Sequence, residues 1–295
     1  MSTPRDNLTG AGLMVLAMLC FAIEDMFIKF LGGAIPVGQL LALLGAGGAL
    51  IMGVACTIKR QPLFSAELLS TPVLIRNAGE LIGTLGFVSA LVLIPLATAS
   101  AILQTTPLMV TLGAALFLGE QVGWRRWAAI SIGLIGVLLI LRPGLDGFDW
   151  NVLFAVQGMI GLSIRDLATR RAPASLSALQ LSFVAFGLLV PAGAAMMWVQ
   201  GSDYVTPTLR EWGLLGVAAV IGAFSYRFIV SAMRVGEVSF VTPFRYTRMV
   251  FALIIGIAVF AEVPDTVTLV GVAIIIGSGL YTLWREHRHK SAPAT

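Results

Sequence analysis

Ile23-Glu24-Asp25-Met26-Phe27-Ile28-Lys29 stands inside the first apolar run of this chain, and Ile164-Arg165-Asp166-Leu167-Ala168-Thr169-Arg170 stands inside the sixth. Each stretch has an isoleucine, an aspartate two residues on and a cation four residues later, at a shift of 141 residues. Ser89-Ala90 recurs as Ser231-Ala232, and Phe117-Leu118-Gly119-Glu120 corresponds to Val259-Phe260-Ala261-Glu262, both at a shift of 142. Matches that keep their order at a nearly constant offset mark an internal repeat. The repeat also sets the fold, because each copy holds five apolar runs. An odd number of membrane crossings brings the two copies in from opposite faces, which makes the repeat inverted.

The composition agrees. Of 295 residues, 58% are hydrophobic and 12% charged, and the mean hydropathy is +0.93; a soluble chain carries about a quarter charged residues. The solvent for most of this surface must be lipid, which excludes a soluble enzyme. The 32 glycines suit close packing of membrane helices. Runs long enough to approach the roughly 20 residues of a membrane helix cover 11–31, 37–58, 72–94, 98–118, 127–141, 152–170, 176–199, 212–233, 239–260 and 267–284. The expected fold is an all-α polytopic membrane protein, with ten transmembrane helices arranged as two inverted five-helix repeats. The repeats span 11–141 and 152–284, joined by an outside loop over 142–151 and flanked by cytoplasmic tails 1–10 and 285–295. The first run is of span length with no A-x-A-type site after it, so no cleavable signal is expected.

The net charge of +4 reflects topology, not a nucleic-acid patch. With the N-terminus inside, the inner segments carry Arg5, Lys59, Arg60, Arg125, Arg126, Arg170, Arg171, Arg234, Arg285, Arg288 and Lys290. The outer ones carry Arg142 and Arg210, with Lys29 near the outer end of the first span. This bias places both termini in the cytoplasm, and the six tryptophans fall near span ends as interfacial belts require. His287 and His289, the only histidines, lie in the tail, so no histidine-ligated metal site and no cofactor is expected. Cys20 and Cys56 lie inside apolar runs and read as packing residues.

Ten runs in two halves, with Phe117-Leu118-Gly119-Glu120 closing the fourth and Phe260-Ala261-Glu262 the ninth, resemble the EamA-type drug/metabolite transporter superfamily. Pro243-Phe244-Arg245-Tyr246-Thr247-Arg248 is similar to bacterial members as well. The resemblance covers about residues 10 to 285 and implies a secondary carrier with a central cavity, moving small metabolites across the inner membrane.

An ionisable group at the bilayer centre costs at least about 2.5–3.5 kcal/mol on insertion scales, which makes each a functional candidate. Besides Lys29 and Arg170 at run ends, nine lie inside the runs: Glu24, Asp25, Arg76, Glu80, Arg165, Asp166, Arg227, Arg245 and Arg248. Asp25 with Lys29, Arg76 with Glu80 and Asp166 with Arg170 are each four apart, the spacing at which helical side chains meet; they read as structural pairs or as gates. Glu24 sits about 100° round the helix from Asp25, and a carboxyl in a low-dielectric cavity can carry a proton. Glu24, Asp25, Glu80 and Asp166 are the candidates for proton coupling or gating, although Glu24 can instead attract its repeat mate Arg165.

Arg245 and Arg248 are three apart on one face just after Pro243, and two guanidiniums on one face can grip a carboxylate or phosphate. The alternative is that they pair with Asp166 and Glu80. Arg227 and Tyr226 in the eighth run can join them, and the equivalent place in the first half holds Gln104-Thr105-Thr106 before Pro107. These polar groups suit a substrate or simply bond neighbouring backbone. The substrate-binding candidates are Gln104, Arg245, Tyr246, Arg248, Arg227 and Tyr226. Gly79/Gly83, Gly133/Gly136 and Gly277/Gly279 read as helix-packing positions, and the last helix of each half as a homodimer contact.

The expected function is secondary active transport of a small organic metabolite by alternating access across the bacterial inner membrane, with proton exchange as one driver. The arginines tilt the substrate toward an amino acid, carboxylate or other anionic or zwitterionic metabolite. The alternatives are an importer of riboflavin or S-adenosylmethionine-type compounds, with Phe87, Tyr226 or Phe244 stacking on them, and an uncoupled facilitator or channel. A membrane enzyme lacks its motifs here, and no nucleotide-binding loop is present. The expected partners are the substrate and the lipid bilayer, with no nucleic acid, in a monomer or homodimer.

Overall fold

The computed structural model describes residues 3–119, 123–142, 148–236 and 238–290; the side chains of 126, 226, 234, 238, 239 and 283–290 lie outside that description. All ten apolar runs are helical. The α-helices are α1 (Pro4–Gly32), α2 (Val37–Ile58), α3 (Thr71–Leu93), α4 (Leu96–Leu103), α5 (Thr106–Phe117), α6 (Trp124–Leu141), α7 (Val152–Thr169), α8 (Ala178–Gln200), α9 (Leu209–Val235), α10 (Val238–Val241), α11 (Thr247–Phe260) and α12 (Thr266–Lys290). Seven stretches are long and apolar enough to cross a membrane, and α6 and α12 contain shorter apolar cores. Among the described residues there is no strand. The protein is an all-helical, multi-pass membrane protein.

Prolines and caps set the helix ends. Pro72 and Pro107 occupy the first turns of α3 and α5, where the missing N–H has no intrahelical partner to lose. At the start of α8 the Gln180 N–H donates to Ser177 Oγ (3.2 Å) and the Ser177 N–H donates to Gln180 Oε1 (2.9 Å), a capping box.

The sequence pattern predicts unbroken helices over 98–118 and 239–260, and the structure interrupts both. The first breaks between α4 and α5 at Gln104-Thr105; the second passes from α10 through a 3₁₀ turn, Thr242–Tyr246, into α11. The cause is local. Pro107 cannot donate to the carbonyl four residues back, that of Leu103, and the Thr106 hydroxyl donates to it instead at 2.5 Å. Thr105 Oγ1 likewise donates to Ile102 O at 2.6 Å, and Thr247 Oγ1 to Phe244 O at 2.7 Å. Threonine hydroxyls thus add bonds to carbonyls at both breaks, and at Leu103 one stands in for the bond that proline cannot make.

The contacts divide the chain into two compact units, each built from both halves of the sequence. Unit 1 comprises Met1–Ile23, Pro95–Trp150 and Phe224–Thr295. In it α6 packs on α12 and α4 on α11, and α1, α9 and α10 share a core of Met14, Ala17, Met18, Ala232 and Val241. Unit 2 comprises Glu24–Ile94 and Asn151–Ala223, in which α3 packs on α7 and α2 on α8. Each of these four pairings joins a helix of 11–141 to one of 152–284.

The C-terminal end of α6 and the N-terminal end of α12 are linked by Arg142, whose guanidinium donates to Asp265. That bond, with the Thr268 N–H donating at 2.7 Å, holds the Asp265 carboxyl down at about 2. A depressed folded value contributes stability above the unfolded carboxylate value near 3.9, and the contribution disappears as pH falls towards 2. Both side chains are half-exposed, so the effect is small. In thermal melts Asp265→Asn is expected to trail the wild type above about pH 4 and to match it near pH 2.

Candidate substrate site at two broken helices

The two helix breaks meet inside unit 1. Gln104 ends α4, and its side-chain amide donates 2.8 Å to the carbonyl of Arg245, the residue 141 positions later in the repeat. Equivalent positions of the two halves are therefore bonded to each other where both helices lose their regular ladder. Discontinuous helices of this kind form binding sites in carriers, because freed backbone groups and helix N-termini face the cavity. Here α5 and α11 both begin at the breaks with partial positive charge at their N-termini, and Arg245 and Arg248 flank the start of α11 in sequence.

Arg245 is exposed, Arg248 half-buried with its guanidinium 5.0 Å over the Phe21 ring, a cation–π contact. Tyr246 is only 6% exposed. Its ring lies directly on the backbone of α12 at Gly279, where a Cβ would come 2.9 Å from Tyr246 Cε1; glycine alone leaves room for the phenol. Arg227 is exposed on α9, and the Tyr226 side chain lies outside the described residues. Phe244 packs into the core around Met18 and Val241.

Glu262 carries a role beyond closing a motif. Its two carboxylate oxygens each accept from the Leu96 N–H at 2.9 Å, so the residue just past α11 caps the start of α4. Pro95, immediately before, has no N–H of its own to offer. The sequence signal was the recurrence of glutamate at 120 and 262; Glu120 lies outside the described residues.

Unit 2 gathers the other intramembrane charges. Glu80 Oε2 accepts from Arg76 Nη2 and Glu80 Oε1 from Arg165 Nη1, both at 3.2 Å. Arg165 Nε donates 2.8 Å to Asp166, and Arg76 Nη1 reaches Asn77 Oδ1 at 2.9 Å and the Leu181 carbonyl at 3.1 Å. Two acids and two bases from α3 and α7 thus form one connected group. Glycines make it possible: a Cβ on Gly79 would lie 2.7 Å from Arg165 N.

Asp25 is buried at 2% exposure. Glu24 lies against Gly222 of α9, where a Cβ would come 2.6 Å from Glu24 Oε1. Lys29 Nζ donates to the carbonyls of Leu91 (3.2 Å) and Ile94 (2.5 Å), capping the end of α3. Phe87 is buried with its backbone against Gly158. Among the described residues no three or more His, Cys, Asp or Glu side chains come together as a metal site.

Relatives align along nearly the whole chain. A riboflavin transporter of Rhizobium johnstonii is 26% identical over 99% of this chain and 96% of the relative. An S-adenosylmethionine uptake transporter of Rickettsia felis is 24% identical over 97% and 96%. A pseudopaline exporter of Pseudomonas aeruginosa is 27% identical over 91% and 93%. The model of the EamA-like transporter family matches twice, over residues 8–142 and 149–284. With both halves of the sequence matched in turn, this chain belongs to the EamA-like transporter family.

Proposed function

We propose that the protein is a secondary carrier for a small organic metabolite bearing a carboxylate or phosphate, an amino acid or related anion among them. It works by alternating access in the inner membrane with both termini in the cytoplasm. The observation that carries this reading is the bond between Gln104 and the Arg245 carbonyl at the two helix breaks. Both α5 and α11 begin at these breaks, and Arg245 and Arg248 flank the start of α11 in sequence. An anionic group bound there gains from the partial charges and from the guanidinium forks.

The roles of Gln104, Arg245, Arg248 and Arg227 in binding, and of Tyr246 in shaping the wall, belong to this proposal. So does proton coupling at Glu24 or Asp25, for which the support is an acidic pair within a membrane helix. Glu80 and Asp166 fit better as members of an ion-pair group that holds α3 to α7. The five-helix repeats 11–141 and 152–284 supply the internal symmetry that alternating access uses.

A second reading is uptake of a riboflavin- or S-adenosylmethionine-like compound. The names of the Rhizobium and Rickettsia relatives favour it. An uncoupled facilitator would use the same site.

Thermal stabilisation of purified protein by a panel of amino acids, carboxylates, flavins and adenosyl compounds tests the choice, since a ligand of the folded state raises stability by mass action. The expected result is a hit on an anion that Arg245→Ala weakens at least tenfold while Glu24→Gln leaves binding intact and alters only its pH dependence. A hit on a flavin or adenosyl compound that ignores Arg245→Ala would overturn the anion site and support the second reading.

A further inference from the structure

Arg142 and Asp265 tie α6 to α12 at one end, and Gly136 and Gly271 bring the helices together in the middle, where a Cβ on Gly136 would lie 3.0 Å from Gly271 O. The pair stays close at Gly133, where a Cβ would lie 3.0 Å from Ser278 Oγ. Gly277 faces open space, with no atom within 4 Å of an added Cβ, and a groove of about 390 Å³ opens beside it. Its lining is apolar at Ala128, Ala129, Ile132 and Ile274, polar at Ser278, and aromatic or basic at Trp124, Arg125 and Tyr281. Trp124 is 73% exposed and Tyr281 40%. The Arg125 guanidinium is held 5.0 Å over the Trp124 ring. None of the described lining residues is acidic.

The chemistry of this groove is amphipathic along its length. An apolar lining between two membrane helices takes a hydrocarbon chain. Aromatic side chains at a helix end mark headgroup depth, and a cation there, with no acid among the described lining residues, calls for an anion. Basic pockets between membrane helices near the cytoplasmic interface select anionic lipid headgroups. We infer that the α6–α12 groove is a binding site for an anionic phospholipid, one acyl chain lying along Ala128, Ile132 and Ile274 and the phosphate on Arg125. None of its described lining residues belongs to the helix breaks, and the site does not depend on which metabolite is carried.

Native mass spectrometry of the detergent-purified protein tests it, with phosphatidylglycerol and phosphatidylcholine of identical acyl chains added in turn. Phosphatidylglycerol is expected to be retained about tenfold better than phosphatidylcholine. Arg125→Gln should lower it to the phosphatidylcholine level. Gly277→Phe, which fills the groove from a position with free space, should abolish retention of both, and both variants should melt like wild type in lipid-free detergent. Equal retention of the two lipids, or full retention in Gly277→Phe, would overturn the proposal. So would efficient disulfide dimerisation of Gly277→Cys in membranes, because the groove would then be covered by a second copy of the chain.

Discussion

Gly161→Leu is expected to leave almost no folded protein in detergent extracts, where wild type gives a single monodisperse species. A Cβ at Gly161 would sit 2.5 Å from the Gly83 Cα and 2.8 Å from the Gly79 carbonyl. These are backbone atoms, which have no rotamer to escape into, so α7 must move away from α3 as a body. The contact is reciprocal along its length. A Cβ on Gly83 would meet Leu162 N at 2.7 Å, and one on Gly86 would meet Gly158 N at 2.7 Å. In lipid there is little hydrophobic force to pull displaced helices together again, because association rests on close van der Waals packing. Over-packing a tight interface costs about 1–3 kcal/mol and sometimes more, against a total stability of about 5–15 kcal/mol. Here the displacement also draws Arg165, one turn along α7, away from Glu80, so the loss should lie above that range. Gly187→Leu on α8 is the control, since no atom lies within 4 Å of its added Cβ. Fluorescence-detected size-exclusion and melting of both variants read the result. A Gly161→Leu protein that elutes and melts like wild type would refute the glycine contact.

Those glycines show where the sequence was readable and where it was not. Length and hydropathy located ten helical runs, because each crossing must satisfy its backbone within itself. Gly79 and Gly83 announced a packing face, yet nothing in their spacing named α7 as the partner. The breaks at Gln104 and Thr242 were half legible: Pro107 and Pro243 stood in the right places, but hydropathy carries through a break unchanged, so the runs read as continuous. Tyr246 shared its stretch with two arginines, and nothing in that spacing announced that its ring is buried on Gly279. Local spacing finds pairs such as Arg76 and Glu80 on one helix. It cannot find Glu80 with Arg165, 85 residues apart, or Lys29 on the carbonyls that end α3. Glu262 was visible as a repeated letter, and its purpose as a cap on α4 emerged only once the two chain segments lay together.

Removing the Glu80 carboxylate should destabilise the protein more than removing it together with one of its arginines. In Glu80→Met, Arg76 and Arg165 lose the acceptor they share at 3.2 Å, and the group changes from two acids and two bases to one acid and two bases. Arg76 and Glu80 side chains are 9% and 16% exposed, so little water replaces the lost partner. Breaking a buried ion pair from one side costs about 3–5 kcal/mol, whereas replacing both partners by apolar groups is often close to neutral; partial exposure of Arg165 at 28% brings the single-variant figure to the lower end, about 3 kcal/mol. In Arg76→Met with Glu80→Met the remaining Arg165 and Asp166 balance each other across a 2.8 Å bond. The double variant should recover at least half of the loss, which is a coupling between neighbours that additivity forbids. A four-member melting cycle measures it. Single losses that simply add would show that the charges act independently. If the cycle closes as expected while transport by the double variant keeps its pH profile, Glu80 holds helices together and the search for a proton-carrying acid narrows to Glu24 and Asp25 on α1.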